Sequence, residues 1–140
     1  MPDWNYTQYQ VNNGVRLPDW KVQFNLAQKP TKGSIATLTI ALSDRSLDIP
    51  GLPFGTPFLP GTLTVIVNGF KLPAWVLPAD APDSASYRSG ASGDYHLDYL
   101  QFSASSLLTA GTNTLAFRLN DGSTAAYNNA QYDALRFEIH

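Results

Sequence analysis

Leu107-Leu108-Thr109-Ala110-Gly111-Thr112-Asn113-Thr114-Leu115-Ala116-Phe117-Arg118-Leu119 reads as a glycine turn that feeds an alternating strand. Leu115, Phe117 and Leu119 fall on one face by their two-residue period, with Ala116 and Arg118 on the other. A second stretch, Leu63-Thr64-Val65-Ile66-Val67-Asn68-Gly69, ends an apolar strand on Asn-Gly. That dipeptide is the strongest short-range hairpin signal, because both central residues of a type I′ turn need positive φ. Strand-forming segments closed by glycine turns make an antiparallel all-β protein the first expectation.

The rest of the chain keeps the same grammar. Lys21 to Leu26 alternates, with Val22, Phe24 and Leu26 facing one way. Ser34 to Leu42 sets Ala36, Leu38, Ile40 and Leu42 against Thr37 and Thr39, and Lys29 to Gly33 turns the chain between the two. Phe70 to Val76 is expected to return as the second arm of the Asn68-Gly69 hairpin. Asp94 to Phe102 reads as a strand with Tyr95, Leu97 and Tyr99 on one face and His96, Asp98 and Leu100 on the other. Ser103 to Leu108 reads as a short helical turn, and Leu135 to Ile139 as a late strand. Three long loops are expected, over residues 43–62, 77–93 and 120–131, rich in Pro, Gly, Asp, Ser and Asn. No helical period is sustained and no internal repeat appears. The architecture implied is an antiparallel β-sandwich or jelly roll, with Trp20, Phe24, Leu38, Ile40, Val65, Val67, Leu97, Leu115, Phe117, Leu135 and Phe137 mostly buried.

Length and composition bound the function. A chain of 140 residues is one domain, 1–140. At this size it buries roughly 68% of the surface its unfolded chain exposes, so it needs no covalent staples. Only 14% of residues are charged, so the polar surface rests on hydroxyls and amides, a surface that suits sugars. The nine cations are scattered along the chain without a run, which disfavours nucleic acid. There is no cysteine, hence no disulfide and no thiolate chemistry. No apolar run approaches a membrane span. Met1-Pro2-Asp3-Trp4 opens on structured-looking residues without a signal segment, so the chain reads as an excised domain.

Candidate chemistry sits on the loops. In Tyr87-Arg88-Ser89-Gly90-Ala91-Ser92-Gly93-Asp94-Tyr95-His96, Arg88 presents a planar fork of donors suited to a carboxylate such as a uronic acid. Tyr87 and Tyr95 offer ring faces for a sugar and hydroxyls for its rim. The alternative is that Arg88 braces its own loop through Asp83 or Asp94, with the tyrosines partly in the core. Trp75, at the hairpin exit, is a weaker platform, and Trp4 and Trp20 read as packing residues. Asp19, Asp44, Asp48, Asp94, Asp98, Asp121 and Asp133 are oxygen donors without a fixed calcium-ligand spacing. The cofactor expectation is therefore none, with a structural calcium left open. His96 and His140 do not make a zinc site. His96 with Asp98 is the only local His-acid pair, and no nucleophile elbow precedes a serine. No catalytic residue is expected.

Four segments carry a resemblance when taken in order. They are Asp19 to Leu26, Ala36 to Leu42, the hairpin from Val65 to Gly69, and Tyr87-Arg88 through Gly93-Asp94-Tyr95-His96. The closing Tyr132-Asp133-Ala134-Leu135-Arg136-Phe137-Glu138 and the opening Asp3-Trp4-Asn5-Tyr6 extend it to nearly the whole chain. The chain resembles the C-terminal, carbohydrate-binding-module-like domain of rhamnogalacturonan lyases, the family-four polysaccharide lyases. The stretch from Ile49 to Gly61 is longer than that pattern.

The resemblance implies a galactose-binding-like jelly roll beside a separate catalytic domain that holds the catalytic Lys and His. It implies a secreted, extracellular, non-catalytic domain for uronate-containing pectic polysaccharide. Arg88, Tyr87 and Tyr95 would be the contacts, with His96 and Asn68 as secondary hydrogen-bond partners. A catalytic lyase domain is the implied protein partner, with no nucleic acid and no membrane. A docking domain that binds no sugar alone, and a small lyase using His96 or a tyrosine as base, are the competing readings.

Overall fold

The computed structural model describes residues 7–48, 61–77, 96–119 and 127–140. Ten strands and one short helix make two antiparallel five-stranded sheets packed face to face. The first sheet has the order β2-β1-β10-β4-β8, built from β1 (Thr7–Asn12), β2 (Val15–Arg16), β4 (Ile35–Asp48), β8 (His96–Ser103) and β10 (Tyr127–Ile139). The second has the order β3-β9-β5-β6, built from β3 (Trp20–Leu26), β9 (Gly111–Leu119), β5 (Gly61–Val67) and β6 (Phe70–Lys71). Strand β7 (Trp75–Leu77) also pairs with β5. From β3 onward the chain crosses between the sheets five times, before β4, β5, β8, β9 and β10, with only β5, β6 and β7 following one another in one sheet, and this makes the sandwich a jelly roll. Lys29 to Gly33 is accordingly a crossover between sheets and not a hairpin turn.

The two-residue periods found in the sequence become the inner faces. Leu38 and Ile40 on β4, Leu63, Val65 and Val67 on β5, and Leu115, Phe117 and Leu119 on β9 are all but fully buried. Trp20 and Phe24 on β3 and Leu135 and Phe137 on β10 are half-buried and pack against them. Trp20 stacks on Phe117 with ring centroids 4.9 Å apart, and Phe24 meets Phe137 at the same separation. An apolar pocket of about 270 Å³, partly open to solvent, lies between the sheets, lined by Val22, Phe24, Leu38, Leu115, Phe117, Leu135 and Phe137.

Asn68 and Gly69 both have positive φ, as a type I′ hairpin requires, and join β5 to β6. Asn13-Gly14 does the same between β1 and β2, a second Asn-Gly hairpin that the strand pattern alone did not single out. The return arm after Gly69 is broken: β6 stops at Lys71, Leu72 to Ala74 are irregular, and pairing resumes at Trp75. Strands β4, β9 and β10 run further than their apolar cores, to Asp48, from Gly111 and from Tyr127.

Leu97 is a correction. It is 65% exposed and Tyr99 is 64% exposed, on the outer face of β8. The register sets Leu100 opposite Leu38 and Phe102 opposite Ala36, so Leu100 and Phe102 take the inner face. The apolar residues of β8 alternate in two competing phases, and a change of phase by one residue exchanges every side chain between faces.

Candidate functional site

The strand ends that bound segments 49–60, 78–95 and 120–126 lie at one end of the sandwich. Asp48 pairs with Tyr127, Gly61 with Leu77, and Leu63 with Leu119, the last residue of β9. Gln10 on β1 ties the two sheets at this end: its Oε1 accepts from the Leu119 N–H at 3.1 Å and its amide donates to the Leu17 carbonyl at 2.7 Å. His96 opens β8 here, paired with Leu42. Tyr87, Arg88 and Tyr95 lie outside the described residues, as do Trp4, Asp83 and Asp94. Asp98, two residues along from His96, accepts from the Tyr99 backbone N–H at 2.7 Å.

Asn68 sits at the opposite end. Its Nδ2 donates to the Leu107 carbonyl and to Asn113 Oδ1, both at 2.8 Å, and its Oδ1 accepts from the Thr114 N–H at 2.9 Å. Both amide hydrogens and the carbonyl therefore hold the β5–β6 turn against β9 and the Leu107 turn. This changes the expectation for Asn68: its amide serves the fold, and β9 runs about 17 Å from Thr114 to the end where His96 stands. Asn113, fully buried, completes the knot. It donates to the Thr109 and Gly111 carbonyls at 2.9 and 3.0 Å and accepts from the Thr109 N–H at 2.9 Å.

Asp19 and Arg118 make the one bidentate ion pair among the described residues. Arg118 Nε donates to Asp19 Oδ1 at 2.9 Å and Nη2 to Oδ2 at 2.6 Å. The hydrogen bonds from Arg118 hold the Asp19 carboxyl below its ordinary value against the opposing effect of burial, with Arg16 and Lys21 adding to the field. Asp19 stabilises the fold fully above the pKa it has in the unfolded chain, about 4. That contribution disappears as pH falls through the lower folded value. Asp19→Asn should therefore be less stable than the wild type at pH 7, and the difference should shrink towards pH 3. Urea midpoints at the two pH values check this, and an equal difference at both would refute it.

Among the described residues no three His, Asp or Glu side chains come together to hold a metal ion. Sequence reasoning missed what the strands do with the basic residues. Lys21, Lys71 and Arg118, far apart in the chain, occupy the outer face of one sheet. The signal was the outward position within each strand, read strand by strand.

Comparison with known proteins gives one family and several structures. The family described as CBM-like: Polysaccharide lyase family 4, domain III matches residues 1–137. Among solved structures, a family 35 carbohydrate binding module from an environmental isolate is similar at a TM-score of 0.48 and 15% identity, over 92% of this chain and 72% of that one. The EclA C-terminal domain, a sugar-binding protein, gives 0.38 and 14%, over 90% and 81%. A carbohydrate esterase family 2 enzyme with a carbohydrate binding domain, from Corynascus thermopiles (Myceliophthora fergusii), gives 0.35 and 15%, over 96% of this chain and 30% of that one. No curated protein matches.

Proposed function

Because the chain belongs to the carbohydrate-binding-module-like domain III family of polysaccharide lyase family 4, we propose that it is a secreted binding domain for acidic plant cell-wall polysaccharide. The ligand is pectic rhamnogalacturonan, and the domain acts as the accessory of a lyase whose chemistry resides in another domain. The observation that carries this reading is the extent of the family match, which takes in residues 1–137. Supporting it is a composition poor in charge, with 14% of residues charged. The proposed contacts are Arg88 on a uronate carboxylate, Tyr87 and Tyr95 on sugar rings, and His96 on a hydroxyl.

Titration with rhamnogalacturonan oligosaccharides and with neutral galactan tests it. Arg88→Ala should weaken the acidic ligand by about 1.5–3 kcal/mol, the worth of a hydrogen bond to a charged group, and leave galactan little changed. Arg88→Lys keeps the charge but loses the fork, so it should not restore binding. Added salt should weaken the wild type more than Arg88→Ala. Equal loss for both ligands, with a fallen melting temperature, would show Arg88 to be a brace of its own loop.

A docking role inside a lyase is favoured by one observation. Leu97 and Tyr99 stand exposed side by side on the outer face of edge strand β8. If that face docks a catalytic domain, Leu97→Asp should weaken association of the separately produced domains and leave sugar binding intact.

A further inference from the structure

The two sheets differ sharply in charge. The five strands of the first sheet carry Asp44, Asp48, Asp98, Asp133 and Glu138 against Arg16, Arg45 and Arg136. The five strands of the second carry Lys21, Lys71 and Arg118 and no acidic residue. All three cations point outward. Lys21 pairs with Ala116, Ala116 with Ile66, and Ile66 with Lys71, so the four form one row across β3, β9, β5 and β6. Both lysines are exposed, and neither makes an ion pair with a described residue. They stand about 14 Å apart, from three strand spacings of about 4.8 Å, with Ala116 buried and Ile66 half-buried between them. Arg118 lies on the same face two residues beyond Ala116, where Asp19 already uses its fork. A chain of net charge −2 thus carries one sheet whose strands hold only cations among their charged residues.

We propose that the outer face of β3, β9, β5 and β6 is a second polysaccharide-binding face, on which an extended polyuronate lies across the row with its carboxylates at Lys21 and Lys71. The inference rests on the reading of the domain as a binder of acidic polysaccharide, and it gives that ligand contacts on the strands themselves. Charge complementarity selects the occupant. Two exposed ammonium groups about 14 Å apart match carboxylates that recur along a linear chain, and the span is wider than one sugar ring. On the next rows of the face Gln23 Nε2 donates to Thr114 Oγ1 at 3.5 Å and Thr112 Oγ1 donates to Asn25 Oδ1 at 2.9 Å, and the remaining donors and acceptors of these side chains are suited to sugar hydroxyls. No aromatic ring lies on these rows to stack a base, so the face lacks the usual platform for single-stranded nucleic acid.

The test is affinity electrophoresis and calorimetry of the full chain with polygalacturonate at low salt. Lys21→Glu/Lys71→Glu should weaken binding at least tenfold, flatten the salt dependence and leave neutral galactan unaffected. Lys21→Arg/Lys71→Arg should retain binding. Lys21→Gln/Lys71→Gln, which adds no negative charge, should fall between wild type and the Glu pair and serves as the folding-safe version. Arg88→Ala should retain the part of the affinity that the lysine pair removes. Unchanged polygalacturonate binding by the Glu pair, with its melting temperature intact, overturns the second face and leaves the proposed function standing. A wild type that binds neither polygalacturonate nor rhamnogalacturonan overturns both. Tighter binding of a single-stranded oligonucleotide than of polygalacturonate, lost in the Glu pair, overturns the choice of ligand.

Discussion

Phe117→Ala is expected to lower the unfolding free energy by about 3–5 kcal/mol, the cost of emptying a fully buried aromatic site. Phe117 is wholly inaccessible on β9, between β3 and β5, and it carries Trp20 stacked on its face. Truncation removes the ring's burial and the stacking, and it joins the vacated space to the neighbouring apolar pocket. The walls belong to β3, β4, β9 and β10 and are held by strand pairing, so they collapse only partly. Against a total stability of about 5–15 kcal/mol for a domain, this loss should lower the melting temperature by roughly 10 °C or more. Leu97→Ala is the matched control. It also removes an aliphatic side chain from a strand, but from an exposed outer face, and should change stability by about 0.5 kcal/mol or less. A Phe117→Ala melting temperature within a few degrees of the Leu97→Ala value would mean that β9 does not occupy the centre of its sheet.

The contrast between these two residues shows which part of the fold was legible. Around Phe117 one phase of alternation is apolar and the other is not, since Leu115, Phe117 and Leu119 oppose Thr114, Ala116 and Arg118. Period alone then sets the face. On β8 both phases are apolar, with Leu97 and Tyr99 against Leu100 and Phe102, and only pairing with β4 decides. Strand ends were less legible for a similar reason. Asp44 to Asp48, Gly111 to Thr114 and Tyr127 to Gln131 are mostly polar, with Leu47 and Ala130 as the exceptions, yet each extends a ladder that an apolar neighbour has already started. Backbone hydrogen bonds propagate beyond the alternating apolar runs, and hydropathy does not register them.

The candidate site divides along the same line. Arg88, which lies outside the described residues, was nameable as a candidate from residue type alone, as a forked cation next to Tyr87 in the sequence. The lysine row was not, because it exists only after β3, β9, β5 and β6 are in register. Lys21 and Lys71 are fifty positions apart and look scattered until Ala116 and Ile66 connect them. Asn68 shows the opposite case: Asn-Gly correctly announced the turn, but the turn also consumed the side chain proposed for a ligand.

Asn113 supplies the second large effect. Its amide occupies four hydrogen bonds at a position with no solvent access. In Asn113→Ala the Thr109 N–H and the carbonyls of Thr109 and Gly111 lose their partner together. An unsatisfied buried polar group costs about 1–3 kcal/mol. Thr109 and Gly111 are themselves exposed residues, so water restores part of this and the net loss should be about 2–4 kcal/mol. Asn113→Asp should rescue little. A carboxylate still accepts from Thr109 and Asn68, but it faces the two carbonyls with no hydrogen to donate. Asn68→Ala should cost about 1–2 kcal/mol, from its lost bonds and from the strain of alanine at φ +47°. The two asparagines share one bond, Asn68 Nδ2 to Asn113 Oδ1 at 2.8 Å. The double variant should therefore lose less than the sum of the singles, by about 0.5 kcal/mol or more. Strict additivity in urea denaturation would show that each amide holds its own loop separately, and that the β5–β6 turn and the start of β9 are not locked as one unit.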